Sequence, residues 1–203
     1  KGVVSRIDLH AYSWESRLLA VQVDGAINPG NSGGPCVDSA GLLVGVAFQK
    51  GTASHHDNIG YIIPTLVVER FLNCAARNAW GFGALGVRYV RLENTSLRAL
   101  VAAPHASGVL ITGVEPTSAA RSILEPMDDV LHEVDGVTVG EDGTVELEAT
   151  QPRLRVPLEW LFRRRSPGDT VCLRLSRQGV FRTATVVLGR LQPLVPSDPL
   201  EGE

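Results

Sequence analysis

Paired cysteines are absent from this sequence. Its three cysteines, Cys36, Cys74 and Cys172, are odd in number, lie far apart and show no spacing typical of metal ligands. This pattern argues against both a disulfide framework and a zinc site. We therefore expect no metal site, and an intracellular or organellar protein fits best.

Long apolar runs and an excess of positive charge are missing as well. Charged residues interrupt each apolar stretch well before the roughly 20 residues that a membrane helix needs, so no membrane span is predicted. The 19 Lys and Arg against 22 Asp and Glu give a net charge of -3. Such a chain offers no basic field for phosphate backbones, which excludes nucleic acid as an expected partner.

What the sequence does contain, in its first part, is short strands. Apolar runs bounded by turn residues predict an antiparallel β structure. These runs are Val3–Ile7, Leu18–Val23, Leu42–Phe48 and Ile59–Ile63. Asp38–Gly41 supplies a hairpin loop, and the helical spacing of apolar residues from Pro64 to about Asn78 predicts an amphipathic helix.

Asn78–Gly83 is the predicted domain boundary, because helical periodicity stops there. The sequence predicts a first domain over residues 1–80, a second over 81–191, and a linker or tail over 192–203. The second domain combines α and β patterns. Its predicted strands are Leu85–Val90, Val109–Val114, Val130–Val134, Thr170–Leu175 and Thr183–Leu188, with helices at Ser96–Val101 and about Pro157–Arg164.

Chemistry is concentrated in the glycine-rich stretch around Ser32. Flanking glycines let the backbone turn so that amides point to one spot beside the hydroxyl, as in an oxyanion hole. We assign Ser32 as the candidate nucleophile and Gly30, Asn31 and Ser32 as the oxyanion hole. The alternative is a glycine-rich turn with an incidental serine.

The longer string Gly30-Asn31-Ser32-Gly33-Gly34-Pro35, after Asp24–Asn28, resembles the active-site segment of Deg/HtrA serine proteases. That family usually has Ala where Gly25 stands. Gly41–Phe48 and Ile59–Pro64 match strands of the family's second β-barrel, and Asn58–Tyr61 is most similar to its plant-type members. The resemblance implies that residues 1–80 form the C-terminal half of a trypsin-like double β-barrel.

The same resemblance implies residues that bind substrate. Ile27 would line the primary specificity pocket, and the backbone of Phe48, Gln49 and Lys50 would pair with the substrate as an added strand. Ordinary core packing is the alternative for Ile27 and Phe48.

A catalytic serine needs a histidine base and a carboxylate to orient it. The Deg/HtrA family places both in a first β-barrel that precedes the serine, and His10 is the only histidine before Ser32 here. We therefore expect the first barrel to be absent and this chain alone to be inactive. The stretch His55-His56-Asp57 favours a surface loop, and we interpret His105 and His132 as structural.

The segment Gly81–Gly86 has the spacing G-x-G-x-x-G, but a helix precedes it and a strand follows, the reverse of a dinucleotide site. We expect no cofactor. Ala84, Leu85, Gly86 and Val87 instead resemble the carboxylate-binding loop of a PDZ domain. That resemblance implies a peptide groove flanked by the predicted helix, with apolar side chains that either contact peptide or pack on the sheet. These side chains are Leu158, Leu161 and Phe162.

Together these features predict a mainly β protein, in which the C-terminal half of a trypsin-like double β-barrel precedes an α+β PDZ domain. The resemblance implies an ATP-independent serine endopeptidase that acts on unfolded or damaged proteins and binds peptide C-termini. It also implies trimer-based homo-oligomers, and the chloroplast, mitochondrion or nucleus of a plant or alga. The alternative function is a catalytically inactive scaffold or chaperone that acts through PDZ peptide binding.

Overall fold

The computed structural model describes residues 2–12, 17–25, 27–28, 30–50, 59–77, 81–101, 107–147 and 154–190. The chain divides into two units, one within residues 1–80 and the other within residues 81–191. Each unit has its own antiparallel sheet.

The first unit is a five-stranded antiparallel sheet followed by a helix, with strand order β1-β2-β5-β4-β3. Its elements are β1 (Val4–Ala11), β2 (Arg17–Val23), β3 (Pro35–Val37), β4 (Leu43–Lys50), β5 (Gly60–Pro64) and α1 (Thr65–Arg77). Each predicted strand overlaps an observed one, which confirms the mainly β interpretation. The short strand β3 was not predicted.

The turn between β3 and β4 is stabilised by hydrogen bonds to the side chain of Asp38. The carboxylate of Asp38 accepts hydrogen bonds from the amides of Ala40 and Leu42 at 2.8 and 2.9 Å. Gly41 adopts a φ of 82°, a conformation that side chains disfavour. The turn therefore fixes β3, which directly follows the serine segment, against β4.

The helix α1 packs against strands β4 and β5 of the first unit. Leu19 of β2, Ile62 of β5 and Val67 and Cys74 of α1 are buried. The helical pattern also includes Phe71, but its side chain is 54% exposed. Periodicity thus identified the helix correctly while overstating how much of its apolar face this unit buries.

The second unit is an α+β fold around a sheet with strand order β14-β13-β9-β8-β7, in which β10 also pairs with β9. Separate two-stranded ladders join β11 to β12 and β15 to β6. Its strands are β6 (Gly83–Ala84), β7 (Val87–Arg91), β8 (Val109–Val114), β9 (Asp129–Val134), β10 (Val137–Thr138), β11 (Thr144–Glu146), β12 (Arg155–Pro157), β13 (Thr170–Arg177), β14 (Val180–Val187) and β15 (Gly189–Arg190). Its helices are α2 (Thr95–Leu100), α3 (Trp160–Arg163) and a 3-10 turn at Ala119–Ser122.

Two predicted elements of the second unit differ from those observed. The predicted strand Leu85–Val90 is interrupted, because Gly86 has a φ of 67° and separates β6 from β7. The predicted helix near Pro157–Arg164 is regular only over α3. Apolar side chains of β8, β9 and β13, including Ile111, Leu131 and Leu173, are fully buried in the core of this unit.

No helix among the described residues is long and apolar enough to cross a membrane. Within the same described ranges, no group of three or more His, Cys, Asp or Glu side chains could hold a metal ion. The three cysteines are free thiols.

Candidate functional site

The turn that carries the candidate nucleophile is anchored on strand β4. The amide of Asn31 donates to the carbonyl of Asn28, and the amide of Gly34 donates to the carbonyl of Asn31, both at 3.0 Å. The Gly33 amide donates to the Ala47 carbonyl at 2.8 Å, and the Ala47 amide donates to the Gly34 carbonyl at 2.9 Å. The serine just before these anchors is therefore held in a defined place at the edge of the sheet.

Glycine is required in this turn for its backbone conformation. Gly30 and Gly33 have φ values of 101° and 85°, in the region that L-residues rarely adopt. A Cβ at either position would meet nothing within 4 Å. Glycine is therefore favoured at both positions by the positive φ, and not because a side chain would clash.

The Ser32 side chain is exposed, and its hydroxyl donates to the carbonyl of Phe48 at 3.2 Å. Phe48 lies at an irregularity in the β4–β5 register, between Ala47 and Gln49. The hydroxyl is consequently exposed to solvent and oriented by a backbone carbonyl of β4.

The amides around Ser32 divide into two groups. The Asn31 amide, which the sequence analysis included in the oxyanion hole, donates within the turn to Asn28. The amides of Gly30 and Ser32 donate to no acceptor within the described part of the chain. An oxyanion hole requires backbone amides that are not already engaged, so these two amides can serve in one, and their assignment to it stays a prediction.

Ile27 is 7% exposed and packs on strand β5. A Cβ on Gly60 would come within 2.7 Å of Ile27 Cγ1 and of the carbonyl oxygen of Gly25. The absence of a side chain at Gly60 thus lets the segment before the serine lie against the sheet. This contact is the packing that the sequence analysis gave as the alternative, and contact of Ile27 with a substrate stays a prediction.

The other predicted substrate-binding residues lie on β4. The Phe48 ring is half-buried, with its centroid 4.9 Å from that of Tyr12. Gln49 and Lys50 pair in register with Tyr61 and Gly60 of β5, while their side chains lie outside the described residues. Pairing of this edge with a peptide stays a prediction.

His10 occupies a packed position on the sheet. Its ring stacks on Tyr61, with centroids 3.9 Å apart and planes 15° from parallel. Within the described ranges, the Phe48 carbonyl is the only hydrogen-bond partner of the Ser32 hydroxyl. His55, His56, Asp57 and His105 lie outside the described residues.

The second unit contains a cavity of about 170 Å³, between the loop that joins β6 to β7 and the helix α3. This volume is below the roughly 300–1,000 Å³ typical of small-molecule sites. The lining residues are Gly83, Ala84, Leu85, Gly86, Val87, Tyr89, Glu115, Glu159, Phe162 and Arg163. We call this cavity the β7–α3 pocket.

The loop at one end of the β7–α3 pocket is fixed by a neighbouring turn. Ser118 Oγ donates to the Leu85 carbonyl at 2.6 Å, and the Glu115 amide donates to the Gly86 carbonyl at 2.8 Å. A Cβ on Gly86 would lie 2.8 Å from Ser118 Cβ. Glycine is therefore needed at position 86 both for its positive φ and for close packing against Ser118. This packing is a structural reason for the last glycine of the Gly81–Gly86 spacing.

The opposite wall of the pocket carries a polar pair. Tyr89 Oη donates to Glu159 Oε1 at 3.1 Å. Burial, together with the charge and hydrogen bond of Glu159, raises the pKa of Tyr89, while the charges of Arg91 and Arg163 oppose the rise. The phenol therefore stays a hydrogen-bond donor at physiological pH.

Comparison with known proteins identifies the chain. A model of the trypsin-like peptidase domain matches residues 1–46. Protease Do-like 2, chloroplastic, from Arabidopsis thaliana is 41% identical over 97% of this chain and 32% of its own length. The chain belongs to the Deg/HtrA group of trypsin-fold serine proteases. Its similarity to Arabidopsis proteins agrees with the plant-type features of the sequence.

Further Deg/HtrA relatives match nearly the whole of this chain at lower identity. Protease Do-like 4, mitochondrial, from Arabidopsis thaliana is 36% identical over 97% of this chain and 37% of its own length. A structure of the HtrA-type protease AlgW with a decapeptide is 26% identical, with a TM-score of 0.63, over 95% of this chain and 55% of the AlgW chain. The chain spans about a third of the length of these two curated relatives.

In this Deg/HtrA chain, Phe162 of the predicted groove residues lines the β7–α3 pocket, and Tyr89, Glu159 and Arg163 line it without having been predicted. Leu161 is 4% exposed and belongs to the core, and the residues of that segment that line the pocket are Glu159, Phe162 and Arg163. Spacing from Phe162 could have identified Glu159 and Arg163, because positions i, i+3 and i+4 share a helix face. Strand alternation likewise places Tyr89 on the same face as Val87.

His132 of the Deg/HtrA chain is buried. Its Nε2 lies 2.7 Å from Ser176 Oγ, and its Nδ1 contacts the carbonyl of Ser107. Burial lowers the pKa of His132. These contacts are those of a structural histidine.

Proposed function

We propose that this chain supplies the nucleophile and oxyanion hole of a serine endopeptidase that cleaves unfolded or damaged proteins without ATP. The supporting observations are the exposed Ser32 hydroxyl and the amides of Gly30 and Ser32, which donate to no acceptor in the described ranges. Removal of one oxyanion donor typically costs about 3 kcal/mol of transition-state stabilisation.

In the proposed reaction, Ser32 Oγ attacks the scissile carbonyl and transfers its proton to a histidine base. The carbonyl oxygen becomes an oxyanion that accepts hydrogen bonds from the two amides. Collapse of this intermediate expels the amine, which takes the proton from the histidine, and water later hydrolyses the acyl-enzyme. Ile27 would contact the substrate side chain, and the backbone of Phe48–Lys50 would pair with the substrate.

We propose that the histidine and aspartate come from a β-barrel outside this chain, as the resemblance implies. His10 is stacked on Tyr61 and makes no hydrogen bond to Ser32. The 203-residue chain alone should therefore not cleave labelled casein. Turnover by the isolated chain that is lost on Ser32→Ala would contradict this assignment.

Fluorophosphonate labelling of the full-length protein tests the nucleophile. The unmodified protein should be labelled, and Ser32→Ala should abolish labelling and casein cleavage. Ser39→Ala is the matched control, because Ser39 is also exposed but lies in the β3–β4 hairpin; it should label normally. A folded full-length protein without labelling would favour the inactive scaffold or chaperone.

The second unit is proposed to be a PDZ domain that binds peptide C-termini. The support is the fixed loop at Ala84–Val87 beside the β7–α3 pocket, where a terminal carboxylate could accept backbone hydrogen bonds. Fluorescence anisotropy with labelled peptides bearing free or amidated C-termini would test it. Equal binding of the two forms would refute carboxylate recognition.

The names of the relatives support a plant organelle as the compartment, namely the chloroplast or mitochondrion. A trimer-based assembly of the full-length protein is proposed from the family resemblance. Imaging of a tagged full-length protein and light scattering of the purified protein would test these two statements.

A further inference from the structure

Glu159 is incompletely satisfied in the wall of the β7–α3 pocket. Its Oε1 accepts the Tyr89 hydroxyl, whereas its Oε2 is buried from solvent and has no hydrogen-bond partner among the described residues. No described Lys, Arg or His forms an ion pair with it. Among the described residues, the neutral Tyr89 hydroxyl is therefore the only group that hydrogen-bonds the carboxylate, while Arg163, which also lines the pocket, lies nearby without forming an ion pair to it.

Such an arrangement is unfavourable in the free protein. A buried carboxylate oxygen without a donor loses hydration and gains no replacement. Phe162, which also lines the pocket and is 4% exposed, contributes an apolar surface rather than a donor. Native structures usually satisfy buried polar atoms, so an exception in a cavity wall points to a ligand that supplies the missing donor.

We propose that the β7–α3 pocket selects peptides with a cationic side chain, lysine or arginine, whose nitrogen hydrogen-bonds Glu159 Oε2. This inference rests on the proposed peptide-binding role of the second unit and adds the chemical class of its ligand. A cation fits better than a hydroxyl because it neutralises the carboxylate as well as donating to it. The terminal torsion of a glutamate is soft, so a small rotation can present Oε2 to the cavity.

Tyr89 acts as the positioning residue for this contact. Its hydroxyl donates to Oε1 at 3.1 Å, so Oε2 is the oxygen that a ligand would reach once that rotation turns it toward the cavity. The stem of a lysine or arginine would lie along Phe162 and Val87, since long cationic side chains pack their methylene groups on apolar surface.

The test measures binding of C-terminal peptides to the 203-residue chain by fluorescence anisotropy. Lysine, its near-isostere norleucine, serine and glutamate are compared at each of the last positions. At one position lysine should bind about tenfold more tightly than norleucine. Glu159→Gln should reduce that ratio below about twofold, because the amide retains an acceptor for Tyr89 but carries no charge.

Glu93→Gln is the charge-matched control, since Glu93 is exposed and does not line the pocket. It should keep the lysine preference, and thermal unfolding of both variants verifies their folding. Three results would overturn the proposal. The lysine preference could be unchanged in Glu159→Gln, it could be lost equally in Glu93→Gln, or serine rather than lysine could be the preferred residue. If no peptide of the panel binds, the proposed PDZ function fails as well; binding without a lysine preference refutes this inference alone.

Discussion

Asp129 is a fully buried carboxylate at the start of β9, and its replacement by alanine should strongly destabilise the second unit. Arg177 binds it through two hydrogen bonds of 2.9 and 3.0 Å. Arg182 donates to Oδ2 at 2.6 Å, and the Glu125 amide donates to the same oxygen at 2.8 Å. All contacts of this buried charge are lost together in Asp129→Ala.

The size of the effect follows from this environment. Removing one partner of a buried ion pair costs about 3–5 kcal/mol. The lower end applies here because the side chains of Arg177 and Arg182 are 38% and 34% exposed and can be rehydrated. We therefore expect a loss of about 3 kcal/mol in the free energy of unfolding.

Hydrogen exchange of the β13 amides measures this loss within the second unit, where about 3 kcal/mol corresponds to more than a hundredfold faster exchange. The neighbouring Asp128→Ala is the control. Asp128 is exposed, so its replacement should change stability by no more than about 0.5 kcal/mol. Equal effects of the two substitutions would refute the reasoning.

The same carboxylate predicts an acid dependence. Burial raises the pKa of Asp129, but hydrogen bonds from Arg177 and the Glu125 amide and the charge of Arg182 outweigh it and hold the pKa below its ordinary value. Its contribution is therefore present above the unfolded value of about 3.9 and is lost as pH falls through the folded pKa. Asp129→Asn should remove this part of the pH profile, and an unchanged profile would contradict the assignment.

Two further predictions concern His132 and Gly60. Burial lowers the pKa of His132 in the folded protein. The contribution of the neutral ring to the free energy of unfolding should therefore be fully present above about pH 6.5 and should decrease as the pH falls toward the folded pKa. His132→Gln should flatten that dependence in thermal unfolding from pH 7 to 5, and an equal slope would contradict it. Gly60→Ala should reduce the free energy of unfolding by about 1–3 kcal/mol through overpacking and should slow fluorophosphonate labelling of the full-length protein. The control Gly25→Ala should label at the unmodified rate, because its Cβ would meet no atom closer than 3.8 Å. Equal labelling rates of the two variants would argue against the Ile27 contact.

The sequence indicated the strands, the principal helix and the reactive segment because each depends on local chemistry. Val, Ile and Leu runs bounded by turn residues mark β2, β4 and β8, whose observed bounds lie within two residues of those predicted. The order of glycines around Ser32 is likewise local, since Gly30 and Gly33 require positive φ.

Spacing failed where a side chain's role depends on what lies opposite it. The helical pattern grouped Phe71 with buried residues, yet it is 54% exposed. The choice of Leu161 for the peptide groove came from the resemblance and from its apolar character. Leu161 is 4% exposed and does not line the pocket, so its contact with a peptide stays a prediction. The fold brings Glu159 beside Tyr89, 70 residues away in sequence.

The amino-acid order by itself determined where the chain turns, where it pairs and which hydroxyl is placed among glycines, because these preferences act over a few neighbouring residues. Only the tertiary structure decided that the Ser32 hydroxyl meets the Phe48 carbonyl and that the Asn31 amide is already engaged. It also decided that one oxygen of Glu159, in a pocket wall, has no hydrogen-bond partner within the part of the chain that the structure describes. Such contacts join residues distant in sequence, so their existence depends on the packing of whole elements rather than on any local pattern.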